Sequence, residues 1–161
     1  MYSQAPTGSR PEEFRTFEDL QVYRSAREFR TAMYAVTRQL PTFEKFELAS
    51  QIRRASVSLT NNIAEGHGRY HFADQIKFQL QARGSLTELI DDLNICSDEN
   101  YLPADRVIVL KEQAVAVHQL INGYIRYLRE RKAGSNLTLH DAPGADPISD
   151  EELDALLSET L

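Results

Sequence analysis

The chain has 161 residues, 42% hydrophobic and 26% charged, the composition of one globular domain able to bury a core. A single cysteine, Cys96, excludes an internal disulfide and fits a reducing, cytoplasmic setting; no apolar run approaches the ~20 residues that span a bilayer, so no membrane association is expected. The net charge of −6 is unevenly spread: residues 17–132 hold 16 basic and 15 acidic side chains, while residues 133–161 hold seven acids and neither lysine nor arginine.

Residues 1–15 contain Pro6, Gly8 and Pro11 with no apolar periodicity, and read as a disordered lead-in without a signal segment. Thr16 is placed to cap a first helix, with Glu18 and Asp19 in its first turn. Val22, Ala26, Phe29, Met33, Val36 and Leu40 then recur at alternating steps of four and three, a heptad pattern that Pro41 stops. Thr42 is the expected cap of a second helix over residues 43–65, whose inner stripe is Leu48, Ile52, Ala55, Leu59 and Ile63. Gly66 and Gly68 are expected to end it in the left-handed conformation.

A third helix is expected over residues 72–98, with Ile76, Leu80, Ala82, Leu86, Leu89, Leu93 and Cys96 inward. Ala82, Gly84 and Ser85 form a small-residue patch, and a mid-helix glycine implies close approach of a neighbouring helix. Asn100 and Pro103 mark a turn. The fourth helix, residues 104–132, carries Val107, Leu110, Ala114, Val117, Ile121, Tyr124 and Leu128 at heptad steps. Residues 16–132 therefore predict an all-α, antiparallel up-down-up-down four-helix bundle.

Residues 133–147 read as a linker. In residues 148–161, Ser149 with Glu152 makes a capping box and Ile148 with Leu153 a hydrophobic staple, opening a short acidic helix whose apolar face is Leu153, Leu156, Leu157 and Leu161. Too short to stand alone, it is expected to fold on a partner surface.

The stretch QIRRASVSLTNNIAEGHGR at residues 51–69 resembles the four-helix-bundle family of proteins encoded within 23S rRNA intervening sequences, which also includes accessory proteins of diversity-generating retroelements. FEDLQVYRSA at 17–26, LP at 40–41, ARGSLTEL at 82–89 and YLP at 101–103 extend the resemblance across residues 17–130. The resemblance implies no enzyme activity and a homo-oligomer, a pentameric ring of bundles. In its retroelement branch it implies binding to RNA or cDNA and to a reverse transcriptase. It implies nothing for the acidic tail.

No catalytic or metal site is expected. His67 and His71 stand four apart near Glu65, but Gly66 and Gly68 are expected to break the helix, and no further ligand completes a shell. Ser56, Ser58 and Ser85 lack histidine and acid at triad spacing, and Asp91 and Asp92 read as solvated surface. No cofactor is implied. The turn Gly66-His67-Gly68-Arg69 could hold a phosphate on free backbone N–H groups and Arg69, although a plain helix-ending turn is the commoner explanation. Arg53 or Arg54 could pair with Glu47 or Glu88 within or between subunits. Val57 faces away from the inner stripe beside Arg54 and Asn61, which suggests a second covered surface; with Gly84 and Ser85 these residues form the expected oligomer interface.

The bundle topology gathers the start of helix one, the end of two, the start of three and the end of four at one pole. That pole collects ten cations, Arg24, Arg27, Arg30, Arg69, Lys77, Arg83, Arg126, Arg129, Arg131 and Lys132, against six acids, Glu18, Asp19, Glu28, Glu65, Asp74 and Glu130. Tyr23, Arg27, Arg30 and Tyr34 share a helix face there, an interleaving that suits phosphate contact with base stacking. Equally, the tyrosines could pack between subunits while the arginines stay solvated. The leading expectation is a non-enzymatic protein holding RNA or cDNA at the pole, beside a reverse transcriptase. The alternative is a protein–protein scaffold recruiting through its tail. The acidic tail, leaving the body at the basic pole, is expected to compete with nucleic acid there or simply to aid solubility.

Overall fold

Five of the six heptad residues of the first helix turn fully inward, with Val22, Ala26, Phe29, Met33 and Val36 buried along α1 (Gln21–Gln39), while Leu40, just past its end, is half-buried against the core. The computed structural model describes residues 16–136, and the acidic helix expected at 148–161, like the lead-in at 1–15, lies outside them. Three further helices follow: α2 (Leu48–His67), α3 (Phe72–Asp98) and α4 (Ala104–Asn136). Consecutive helices pack side by side and α1 closes against α4, so the four-helix bundle holds and no strand occurs among the described residues. The inner stripe of α2 is buried throughout, and meets Leu86, Leu89 and Leu93 of α3 with Leu110, Val117 and Ile121 of α4 in one continuous core.

The antiparallel order is fixed by contacts near both ends. Tyr101, just after α3, donates to the Glu44 carboxylate before α2 at 2.8 Å, and the Tyr124 hydroxyl of α4 lies 3.5 Å from His67 Nδ1 at the end of α2. Thr16 caps a 3-10 turn, Phe17–Asp19, through a complete capping box, and α1 begins one residue after it. Before α2 the chain departs from expectation. Residues Thr42–Phe46 form a second 3-10 turn, and Thr42 caps nothing; Glu44 Oε2 accepts from the Leu48 N–H at 3.1 Å instead. A carboxylate one turn upstream brings to the positive end of α2 a negative charge that a neutral threonine hydroxyl lacks.

The end of α2 also differs. Gly66 lies inside the helix, and Gly68 takes φ −79°, so neither glycine is left-handed. The helix stops by tightening, with Gly68 N–H shared between Ala64 and Glu65 carbonyls and Arg69 N–H bonded to Gly66 O. What Gly66 provides is room. A Cβ there would sit 2.9 Å from Phe78 Cβ and 3.2 Å from the Gln75 carbonyl, so α2 and α3 touch backbone to backbone at this level. The left-handed residue is Asn100, at φ 56°, and it closes α3 with Tyr101 N–H on Cys96 O at 2.8 Å and Asn100 N–H on Ser97 O at 3.1 Å, the paired bonds of a Schellman motif.

Gly84 does the reverse of what its place in mid-helix suggests. It is exposed, with no atom within 4 Å of a Cβ built on it, while Ala82 and Ser85 turn inward. No neighbouring helix of the protomer needs it. Gly84→Ala is therefore expected to raise stability by about 0.5–1 kcal/mol through helix propensity. Thermal unfolding reads this directly, and a loss instead would place a close contact from another molecule at Gly84.

In α4 the inward residue after Ile121 is Ile125, fully buried, rather than the half-buried Tyr124. A straight helix drifts by about 20° per heptad against a strict seven-residue repeat, so by the third heptad the inward side lies between positions 124 and 125, while Leu128 is again buried. The helix runs to Asn136, so the first four residues of the expected linker are helical. Cys96 is fully buried on α3; burial, with Asp92 and Glu44 nearby, pushes its thiol up to about 11.

Candidate nucleic-acid interface

Most side chains expected at the basic pole are present there, but they are not equally available. Arg24 is tied to Asp19 at 3.3 Å and to the Glu18 carbonyl at 3.0 Å. Arg69 pairs with Glu65 one turn back and lies 4.8 Å from the Phe78 ring centroid, so its guanidinium is already engaged within the protomer. Arg30 and Arg83 belong to the waist of the bundle. Arg30 donates to Thr60 Oγ1 at 2.7 Å, and Arg83 donates to Asn122 Oδ1 at 3.2 Å, within a network that includes His118. Burial, and then the charge of Arg83, hold His118 below the usual histidine range.

Three cations remain exposed with no ion pair, hydrogen bond or ring contact at their charged groups among the described residues: Arg27 on α1, Lys77 on α3 and Arg126 on α4. They come from three helices and converge on one end because the bundle alternates. Arg131 lies 5.7 Å from the Tyr127 ring centroid, and Arg129 and Lys132 are half-buried beside it in sequence.

The aromatic part of the expected face is corrected. Tyr23 is half-buried, its ring edge-on to Phe17 at 4.8 Å, and Tyr34 is half-buried away from the pole, in a groove on the α2 flank. The exposed rings at the basic end are Tyr70, 91% exposed in the α2–α3 turn, and Tyr127, 48% exposed and stacked on Tyr124. Tyr70 follows Arg69 directly in the sequence, and its place in a turn of polar residues was the available signal. His67 faces Tyr124 and His71 stands edge-on to Tyr70, and among the described residues no three His, Cys, Asp or Glu side chains gather as ligands.

Two grooves flank the outer ridge of α2. The α1–α2 groove, about 510 Å³ and open, is lined by Tyr34, Arg53, Arg54, Val57, Ser58, Asn61 and Asn62. It places Val57 beside Arg54 and Asn61 as expected, and Val57 is 37% exposed. The α2–α3 groove has similar volume, about 510 Å³, and opposite character, with Glu88, Asp91 and Asp92 facing Gln51, Arg54 and Ser58. Ser85 is used within the protomer, its hydroxyl donating to Ser58 Oγ at 2.8 Å across α2 and α3.

Asp92 corrects the reading of a solvated surface pair. Asp91 is exposed, but Asp92 is only 6% exposed, because the position at Leu89 plus three falls on the inner edge of α3. Burial, with Asp91 and Glu88 beside it, raises its carboxyl from 3.8 to about 6. A folded-state value above the unfolded one means that the charged carboxylate weakens the fold above pH 6, and that this penalty fades as pH falls toward 4. Asp92→Asn in the isolated protomer is thus expected to gain about 1–2 kcal/mol at neutral pH and nothing near pH 4, measured as unfolding free energy across that range.

Among the described residues no helix is long and apolar enough to cross a membrane. A comparison with curated proteins gives no match. The profile of the 23S rRNA-intervening sequence protein family matches residues 18–123, which spans α1, α2, α3 and α4 as far as Gly123. That match covers most of the bundle and two-thirds of the chain, and the protein belongs to the 23S rRNA-intervening sequence protein family.

Proposed function

We propose that this protein is a non-enzymatic, homo-oligomeric nucleic-acid-binding subunit that holds RNA or cDNA against its basic pole. The observation that carries the reading is the convergence of Arg27, Lys77 and Arg126, exposed and unpaired among the described residues, at the end of the bundle where Tyr70 and Tyr127 also lie open. Cations from three helices make a surface rather than a slot, which suits a polyanion with many equivalent phosphates. Assembly into a ring, pentameric by family resemblance, would repeat that surface around an axis and multiply its field. Exposed Ile108 and Val115, two turns apart on α4, support a further covered face. The place beside a reverse transcriptase rests on resemblance to the retroelement branch alone.

A salt titration of single-stranded RNA binding tests the reading. Affinity is expected to fall steeply with salt, with a log–log slope of about −2 or more for three or more phosphate contacts. No binding at low salt would overturn the nucleic-acid role and leave the scaffold as the reading.

A further inference from the structure

Asp92 as a residue is only 6% exposed, and its carboxylate makes no hydrogen bond or ion pair among the described residues, at the wall of an open groove. A buried charge without a partner is costly, and such groups in folded proteins are ordinarily paired. Its own protomer does not supply the cation. Arg54 lines the same groove yet enters no ion pair there, and it also lines the groove on the other side of the α2 ridge. Each protomer thus carries an acidic groove short of a cation and a basic flank short of an acid, on opposite sides of one helix. A surface that presents two different complementary patches joins copies head to tail, and such heterologous contacts close into a ring when the rotation between copies divides a full turn.

We propose that the α2–α3 groove is the docking site for the α1–α2 flank of a second copy, with Arg54 of one protomer entering between Asp92 and Glu88 of the next. Val57 and Tyr34, beside Arg54 on the docking flank, cover the apolar rim that includes Ile95. The guanidinium then meets one buried and one exposed carboxylate, a planar donor against planar acceptors. This assignment rests on the homo-oligomer reading above and gives it a polarity.

Charge reversal on the full chain decides it, read by sedimentation velocity at micromolar concentration. Arg54→Glu and Glu88→Arg, both exposed positions, are each expected to weaken assembly at least tenfold while leaving helical circular dichroism unchanged. The double variant, which exchanges the two charges, is expected to recover most of the loss. Asp92→Asn is expected to weaken assembly while strengthening the protomer's own fold, opposite signs that a structural role would not produce. A wild-type chain that is monomeric at micromolar concentration would overturn this inference and the oligomer reading together. An assembled wild type indifferent to the single reversals, or a double variant that fails to recover, would overturn the groove assignment alone.

Discussion

A chain carrying Arg27→Glu, Lys77→Glu and Arg126→Glu is expected to lose RNA affinity by about a hundredfold or more at moderate salt while its helical content stays intact. Each residue is exposed and outside the core, so the fold has no stake in its charge. Three charge-assisted phosphate contacts at about 1 kcal/mol each account for that factor, and the introduced acids add repulsion. The salt slope should become shallower by about 2, since each single-stranded phosphate contact contributes ~0.7. Net charge alone could lower affinity, so Lys45→Glu with Arg106→Glu at the opposite pole provides the comparison. An equal loss per charge in that pair would mean diffuse attraction with no located site. Arg30 is left out deliberately: its guanidinium holds Thr60 at the waist, and reversing it would confuse packing with binding.

The expected and observed elements differ in an instructive way. The heptad stripes read straight from the sequence because burial follows periodicity, and α3 begins and ends at the residues expected for it, Phe72 and Asp98. What escaped were features that depend on a partner helix. Whether Gly66 or Gly84 permits close approach is decided by what lies opposite, and only Gly66 has Phe78 and Gln75 there. Asp92 looks like its neighbour Asp91 until the rotation of α3 against α2 is known. The placing of cations toward one end was legible from topology alone. Which cations stay free was not, because that is settled by pairs such as Arg69 with Glu65 and by contacts such as Arg83 with Asn122.

Gly66→Val is expected to be the most damaging single substitution near that pole, lowering the unfolding midpoint by roughly 10 °C for a cost of about 3 kcal/mol. Its Cβ would meet Phe78 Cβ at 2.9 Å, the Gln79 amide at 3.1 Å and the Gln75 carbonyl at 3.2 Å. The amide is the end of a side chain and can move, but the other two belong to or adjoin the α3 backbone. Relief requires α3 to shift away from α2, which would open the contact above Ile63 and Ile76. Gly66→Ala should fall between, because its gain of up to ~1 kcal/mol in helix propensity offsets part of the strain. A valine variant that melts with the wild type would show that α2 and α3 are not held this close in solution. Because the two glycines sit on adjoining helices of one bundle, the opposite signs expected for Gly66 and Gly84 test helix packing against propensity within a single molecule.

The sole thiol gives the protein an internal clock for its own opening. Cys96 is completely buried and its ionisation is pushed up to about 11, so in the closed bundle it is neither reachable nor a thiolate at neutral pH. Alkylation must wait for α3 to come away from its neighbours, and when reclosing is fast the labelling rate is the rate for a free thiol multiplied by the fraction of molecules open. Because the site lies in the last turn of α3, just before the Schellman closure at Asn100, it reports on the end of the bundle remote from the basic pole. A reagent added to the native protein can therefore distinguish an opening that begins at the basic end from one that dissolves the whole core.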